Sequence, residues 1–323
     1  MGFLSFLGKK LIFAVITIFI IMTLNFIIFR LMPGDPVAMI VDVIRLRPEQ
    51  VQRLYELFGL NKPLWEQYVQ YITQTSQGFL GYSFYSQRAV TQDIMDRLPN
   101  TLLLVGTSTI ISIVLGMVIG IRAAAKRGSA FDISAISFGF LGNSVPAFWI
   151  GLIMLLVFGV NLQWFPIRGT TSVPAPTDPI ALVLDILWHM ALPTLALVII
   201  QFGGFALVMR AAMMDVLTED YITLARAKGI DERSVLYNHA LRNAMLPMVT
   251  VIALAFGFTL TGALLTETVF SWYGLGRYIW DAITRQDYPA LQGIFFITSV
   301  MVVAANLLSD VIYGILDPRV KHE

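Results

Sequence analysis

Six long stretches of the chain contain no Asp, Glu, Lys or Arg. Measured from one charged residue to the next, they span 19 residues after Lys10, 24 after Arg97, 35 after Asp132, 24 after Asp185, 24 after Arg242 and 22 after Asp287. A helix needs about 20 mostly apolar residues, each rising 1.5 Å, to cross about 30 Å of hydrocarbon. A charge at the middle of the bilayer costs about 2.5–3.5 kcal/mol. The pattern therefore predicts six transmembrane helices, the third in about the first 25 residues of its stretch.

The overall composition agrees with a membrane protein. The chain has 323 residues, of which 57% are hydrophobic and 13% charged, and its mean hydropathy is +0.73. Soluble globular proteins carry about 25% charged residues, so an ordinary soluble enzyme is excluded. The net charge of +1 indicates no surface for nucleic acid. Because cysteine is absent, disulfides, thiol catalysis and zinc held by cysteine are excluded as well.

The first stretch is longer than the apolar region of a signal peptide, about 7–15 residues, and no A-x-A-like cleavage site follows it. We therefore expect it to be kept as a membrane span. An inside N-terminus puts 12 of the 22 basic residues on the cytoplasmic side, and the short segment from Arg122 to Asp132 then carries three bases and one acid. The segment from Glu267 to Asp287, placed outside, carries three acids and two bases. The positive-inside rule thus predicts that both termini are cytoplasmic.

Three regions follow from this arrangement. Residues 1–98 hold the first helix and a long extracytoplasmic loop, residues 99–316 hold a five-helix core with a cytoplasmic loop at 210–243, and residues 317–323 form a cytoplasmic tail. The second outer loop, at 160–185, is rich in Pro, Thr and Gly and is expected to be irregular.

Candidate catalytic and cofactor-binding groups are missing from the sequence. The three histidines match no metal-ligand spacing, and neither a G-x-x-x-x-G-K-[ST] phosphate loop nor a G-x-S-x-G nucleophile motif occurs. Glu267 and Asp310 lie at span ends, where they are expected to reach the membrane surface by snorkelling. The chain is therefore predicted to be a passive conduit with no catalytic residue, metal or cofactor of its own.

The cytoplasmic loop has the pattern of two short helices joined by a sharp turn. Asp220 to Lys228 favours a helix, with basic residues in its last turn where they suit the helix dipole. Gly229 is suited to end that helix in the left-handed region, and Asp231 and Glu232 are suited to start the next one. From the residues alone, this loop is equally consistent with a docking surface for another protein and with a solvated basic loop.

The same loop resembles that of the permeases of binding-protein-dependent ABC importers, whose E-A-A-x-x-x-G motif docks onto an ATPase subunit. With the motif glycine at Gly229, Thr223, Leu224 and Ala225 stand at the E-A-A positions, so only the last alanine matches. The Leu246-Pro247 pair also lies farther from the glycine than in the general motif. Both departures resemble the peptide and nickel branch, whose wording D-Y-x-x-x-A-R-A-K-G followed by H-A-L-R-N-A-x-L-P is present from Asp220 and from His239.

Further landmarks of that branch extend the resemblance over the whole chain. They are L-M-P-G-D-P at 31–36, F-G-L-N-K-P-L-W at 58–65, L-G-Y-S at 80–83, E-T-V-F-S-W-Y-G-L-G-R at 267–277, R-Q-D-Y-P at 285–289 and D-P-R at 317–319. The resemblance implies an all-α permease of the type I ABC-importer fold in a bacterial or archaeal cytoplasmic membrane, embedded in membrane lipid. It also implies that this is the first of two paired permease subunits, the one with the long first outer loop.

The expected partners are a second homologous permease, two cytoplasmic ATPase subunits that bind ATP and Mg²⁺, and an extracytoplasmic substrate-binding protein. The expected substrates are di- and oligopeptides. Nickel or oligosaccharides remain alternatives within the same machinery, and a stand-alone carrier or channel is an alternative of a different class.

The resemblance assigns ATPase coupling to the loop, with Ala225 and Gly229 as the strongest candidates. The coupling residues are Asp220, Tyr221, Thr223, Ala225, Arg226, Ala227, Lys228, Gly229, Asp231 and Glu232.

Uncharged polar residues and prolines within the spans are candidates for lining the translocation pathway. They are Asn143, Ser144, Pro146, Thr259, Thr261 and Asn306. A plain packing kink at Pro146 is an equally good interpretation, and Asn306 is expected to face a partner helix. The glycines of the G-x-x-x-G pattern at Gly116 and Gly120 are expected to serve close helix packing.

Two outer segments are candidates for contact with the binding protein or for an outer gate. Pro33, Gly34 and Asp35 follow the first span and are also explained as a simple turn. Phe270, Trp272 and Tyr273 belong to an aromatic segment, which we expect to form an interfacial belt with some gating role.

Overall fold

The computed structural model describes residues 3–31, 49, 52, 61–259 and 263–316, and the regular secondary structure of these residues is helical. In chain order the helices are α1 at Phe3–Leu31, α2 at Leu64–Ser76, α3 at Val90–Ala125, α4 at Ala130–Ser144, α5 at Ala147–Met154 with a π-helical extension at Leu155–Asn161, α6 at Pro179–Leu217, α7 at Asp220–Ala227, α8 at Glu232–Ser234 continuing through a π-helical stretch at Val235–Ala240 into Leu241–Thr259, α9 at Leu264–Val269, α10 at Leu275–Thr284 and α11 at Tyr288–Leu316.

Five helices among the described residues are long and apolar enough to cross a membrane, namely α1, α3, α6, α8 and α11. The predicted third span is different, because it is divided into α4 and α5, which are bent by 99° at the break. Val145 precedes Pro146 and is extended, with φ −105° and ψ 130°, as the proline ring requires of the residue before it. The pair makes a sixth crossing only when its two arms are taken together.

Several helices extend past the charged residues that bounded the predicted spans. α3 starts at Val90, so the predicted region boundary at 98/99 falls inside a helix. α6 begins at Pro179 and ends at Leu217, which leaves only residues 162–178 of the second predicted loop irregular. A charge costs little at the polar end of a helix, so charge spacing locates the hydrocarbon-crossing part and not the helix ends.

α6 lies at the centre of the bundle and packs on α3, α4, α5 and α8. It comes very close to α3, since a Cβ added to Gly116 would lie 2.5 Å from Phe205 Cβ, and one added to Gly120 would lie 2.6 Å from Ala206 O. The packing role predicted for these glycines is confirmed, and the partner is α6 of the same chain. On its other side, Gly203 meets the backbone of α4.

Ion pairs join helices near one end of the bundle. Arg210 of α6 donates to Asp132 of α4, with Nη2 2.8 Å from Oδ2, and Asp132 is buried. Lys10 of α1 lies 2.8 Å from Asp310 of α11, and both side chains are partly exposed, so the predicted snorkelling of Asp310 stays a prediction. We call this the Gly229 end, after the turn between α7 and α8, and the opposite end, where α9 and α10 lie, the Trp272 end.

A single methyl group tests the α3–α6 contact. Gly120→Ala should lower the free energy of unfolding by about 1–3 kcal/mol through overpacking, although alanine is the better helix former by about 1 kcal/mol. The measurement is the Tm of the detergent-purified protein. Gly106→Ala in the same helix is the control, because an added Cβ there has no heavy atom within 4 Å. Equal Tm values for the two variants would contradict the packing argument.

Candidate functional site

The helix α7 at the Gly229 end has one buried and one exposed face. Ile222 and Ala225, one turn apart, lie in the same buried cluster as residues of α3, α6 and α8. Tyr221 and Leu224 point outward, and 56% of Leu224 is exposed. Tyr221 and Leu224 therefore form the face of α7 that is turned away from the bundle.

The turn after α7 has the predicted capping geometry. Gly229 has φ +74°, a left-handed conformation that suits glycine. The amide of Gly229 donates to Arg226 O at 2.9 Å, and the carboxylate of Asp231 accepts a hydrogen bond from the amide of Ser234 at 2.9 Å. Both capping predictions are confirmed.

The second helix of the loop is not short, contrary to the sequence prediction. It begins at Glu232 and continues without a break into the fifth predicted span as α8. Together with the extension of α6 to Leu217, this leaves only the turns on either side of α7 as loop. The turn at Gly229 therefore joins α7 directly to a helix that is long enough to cross the membrane.

Two side-chain contacts join α7 to α8 across this turn. The amide nitrogen of Asn243 donates to Tyr221 Oη at 2.7 Å. Arg226 forms a two-point ion pair with Glu232, with Nη2–Oε1 at 2.8 Å and Nε–Oε2 at 3.2 Å. With the buried contacts of Ile222, they hold α7 and the start of α8 together as one unit.

The position of Ala225 corrects part of the predicted coupling surface. Ala225 is buried against the bundle and is not available to another protein. The other predicted coupling positions are exposed, namely Asp220, Tyr221, Thr223, Arg226, Ala227, Lys228, Gly229, Asp231 and Glu232. The sequence does contain a signal for this burial, because Ile222 and Ala225 are spaced to lie on one face of a helix.

At the Trp272 end, the buried carboxylate of Glu267 organises α9 and α10. Its Oε1 accepts from Thr101 Oγ1 at 2.9 Å, and its Oε2 accepts from the amide of Arg277 at 3.2 Å. Thr101 Oγ1 in turn accepts from the amide of Leu275 at 2.7 Å, so both side chains satisfy the free amides at the start of α10. The predicted snorkelling of Glu267 is wrong, since this side chain is fully buried. Burial raises the pKa of Glu267, and the hydrogen bond from Thr101 partly offsets that rise.

The aromatic residues of this end are divided between buried and exposed positions. Phe270 and Trp272 are buried, and Trp272 Nε1 donates to Asn100 O at 3.0 Å. The prediction of an interfacial belt is therefore wrong for Phe270 and Trp272. Neither side chain offers a surface to a binding protein. Tyr273 is 41% exposed, with the guanidinium of Arg97 4.4 Å from the centre of its ring. The gating role of the segment stays a prediction.

Among the predicted pathway residues, the structure describes the side chains of Ser144, Pro146 and Asn306, and Asn306 lies on a different helix from the break that holds the other two. Ser144 and Pro146 are exposed at the break between α4 and α5, and Asn306 is exposed on α11. Outside the described residues lie Pro33, Gly34, Asp35 and Thr261, together with the side chains of Asn143 and Thr259.

A cavity of about 640 Å³ lies elsewhere, between α3, α5, α6, α8 and α9. Its wall is mainly apolar, and its polar side chains include Thr109 and Gln201, whose Oγ1 and Oε1 atoms are 3.3 Å apart. Sequence reasoning missed both residues. A glutamine in the middle of an apolar span was the available signal, because an amide is costly in lipid unless it faces protein or a cavity.

The described fold is that of a helical membrane protein with a helix–glycine–helix turn at one end. Residues 116–322 match the family model described as binding-protein-dependent transport system inner membrane component, and residues 3–105 match the N-terminal model of such membrane components. The chain therefore belongs to the family of binding-protein-dependent transport system inner membrane components, which are transport subunits.

Several curated relatives match almost the whole chain. It is 36% identical to the di/tripeptide transport system permease protein of Pseudomonas aeruginosa over 334 residues, covering 99% of each chain. It is 37% identical to the dipeptide transport system permease protein of Escherichia coli K12 over 337 residues, again covering 99% of each. To the oligopeptide transport system permease protein of Bacillus subtilis it is 36% identical over 300 residues, covering 93% of each.

The buried carboxylate predicts a pH dependence of stability. Because the folded pKa of Glu267 is raised above the ordinary value of 4.5, its contribution to stability is complete below pH 4.5 and is lost as pH rises through the folded pKa. The Tm of the wild type should therefore fall as the pH rises from 4.5 through the pKa of Glu267 in the folded protein. The Tm of Glu267→Gln should fall less over the same pH range.

The comparison isolates Glu267, because other buried acids such as Asp287 titrate in both proteins. Glu267→Ala should be the less stable variant at every pH, since it leaves buried amides without an acceptor at about 1–3 kcal/mol each. Parallel Tm profiles for the wild type and Glu267→Gln would refute the assignment.

Proposed function

We propose that this chain is the first of two paired permease subunits of an ATP-driven importer of dipeptides and oligopeptides. The observation that carries the proposal is the identity of 36–37% over 99% of the chain to permeases named for di/tripeptides and dipeptides. The relative named for oligopeptides supports the wider range of peptide lengths. Substrate selection in this proposal rests largely with a separate binding protein.

In this arrangement the Gly229 end and both termini face the cytoplasm of a bacterial or archaeal cell. There α7 docks onto one of two ATPase subunits, which bind ATP and Mg²⁺, while the Trp272 end faces the substrate-binding protein. A second, homologous permease completes the pathway. The three basic residues between Arg122 and Asp132 support this orientation by the positive-inside rule.

The proposed mechanism is alternating access driven through α7. Closure of the ATPases on ATP moves α7, and α8 follows because Tyr221–Asn243 and Arg226–Glu232 join the two helices. This movement opens the pathway outward, and hydrolysis of ATP returns it to the inward-facing state. The outward position of Leu224 supports α7 as the docking element.

Copurification and uptake test the proposal directly. After mild detergent extraction, a second permease and an ATPase should accompany this chain, and the reconstituted complex with its binding protein should take up a radiolabelled dipeptide only with ATP. Uptake of nickel or an oligosaccharide in place of the dipeptide would overturn the substrate class. Transport by the chain without an ATPase would overturn the coupled mechanism.

The turn at Gly229 should be sensitive to a side chain. Gly229→Val forces a β-branched residue into a left-handed conformation that it resists, so ATPase activity should continue while uptake falls at least tenfold. Gly128→Val is the matched control, because Gly128 also has a positive φ of +75° and open space at its Cβ but lies between α3 and α4. Equal uptake by the two variants would contradict a role of the Gly229 turn in coupling.

Loss of the Tyr221–Asn243 hydrogen bond should weaken the coupling of ATP hydrolysis to transport, whichever of the two residues is changed. Tyr221→Phe and Asn243→Ala each remove one bond worth about 0.5–1.5 kcal/mol, which corresponds to about two- to tenfold fewer peptides imported per ATP. The double variant should be no worse than either single variant, because all three lack the same bond. Additive losses would show that the residues act separately.

A further inference from the structure

The cavity between α3, α5, α6, α8 and α9 has the size and position of a small-molecule site. Its volume of about 640 Å³ lies within the range of roughly 300–1,000 Å³ that is usual for such sites. At one side it is bounded by Leu264 and Thr266 of α9, next to the buried Glu267. At another it is bounded by Ala147, which follows the sharp break at Pro146.

The chemistry of the wall suits a neutral polar group surrounded by apolar ones. The residues that line it carry no charge, and Val105, Leu197 and Val251 are typical of its apolar surface. Gln201 brings a carboxamide, which offers both donors and an acceptor, and Thr109 contacts that carboxamide at 3.3 Å. A carboxamide can accept a hydrogen bond from a peptide N–H through its oxygen, or donate one to a peptide carbonyl through its nitrogen.

We propose that this cavity is a section of the solute path and that Gln201, positioned by Thr109, binds a main-chain amide of the passing peptide. The inference rests on the proposed function. The apolar wall accepts side chains of different size, and the lack of charge leaves the peptide termini without a counter-ion. Recognition of the amide alone gives weak and sequence-tolerant contact, as passage requires.

Gly204 lines the cavity without contributing a side chain to it. It lies one turn after Gln201 on α6, and a Cβ added there meets no heavy atom within 4 Å. The neighbouring Gly203 is different, because its Cβ would collide with the backbone of Gly139. A side chain at Gly204 therefore enters the cavity without disturbing the helix packing.

The first experiment narrows the path in the complete reconstituted complex. Gly204→Leu should reduce ATP-dependent uptake of radiolabelled dialanine about tenfold, with subunit composition and ATPase activity unchanged. Gly106→Leu is the matched control, since Gly106 also has open space at its Cβ but does not line the cavity. It should transport like the wild type.

Two results would overturn the inference. One is uptake by Gly204→Leu equal to that by Gly106→Leu. The other is loss of the second permease from purified Gly204→Leu, which would show that the cavity belongs to a subunit interface. Failure of the proposed function is distinct, because the wild-type complex itself would then take up no dialanine.

The second experiment tests recognition of the amide. Uptake of dialanine is compared with uptake of its ester-linked analogue, which lacks the amide N–H, in the wild type and in Gln201→Leu. Because the same binding protein serves both complexes, a change in the amide-to-ester ratio reports on the permease. The ratio should fall at least threefold in Gln201→Leu, and an unchanged ratio would overturn the role of Gln201.

The absence of cysteine permits a third measurement. A cysteine at Gly204 should react with a charged thiol reagent during ATP turnover, and dialanine should slow the reaction. A cysteine at Ile110 should stay unmodified. Ile110 is an exposed apolar position on α3 outside the cavity lining, in the middle of a predicted span, where hydrocarbon excludes a charged reagent. Equal labelling of the two positions, or no protection by dialanine, would count against a solute path at Gly204.

Discussion

The close approach of α3 to α6 is the contact on which the rest of the described bundle depends. Side chains are missing from the interface at Gly116 and Gly120, so the two backbones touch. In lipid there is no hydrophobic force between apolar helices, and such tight packing is one of the interactions that can hold them together. With α3 fixed on one side of α6 and Gly203 seated on α4 on the other, α6 positions the walls of the cavity and both ends of the bundle.

Charge is absent from the middle of the bundle and buried at its two ends. At the Gly229 end, Asp132 is neutralised by Arg210, which joins α4 to α6. At the Trp272 end, Glu267 has no cationic partner among its hydrogen-bond contacts and is held by Thr101 and by amides at the start of α10. A buried carboxylate is tolerated where helix amides point at it. These contacts make both ends into ordered structures.

One helix connects the two regions to which we assign function. α8 begins next to the Gly229 turn, where Asn243 contacts α7, and further along it contributes Val251 and Ala255 to the cavity wall. A displacement of α7 therefore reaches the wall of the proposed solute path through a single continuous helix. Gln201 lies on the facing helix α6, whose contact with α3 stays fixed by glycine packing.

Sequence alone predicts the membrane class, the approximate spans, the Gly229 turn with its Asp231 cap, and the glycine packing on α3. These features depend on local chemistry, because lipid excludes charge and a positive φ selects glycine. Which way a side chain faces depends instead on the packing of the folded bundle. Ala225 and Trp272 are buried, Glu267 is a helix cap, and Gln201 faces a cavity, because each outcome depends on a helix distant in sequence. The third span broke at Pro146 for a local reason, but the direction of its two arms was set by their packing on α6.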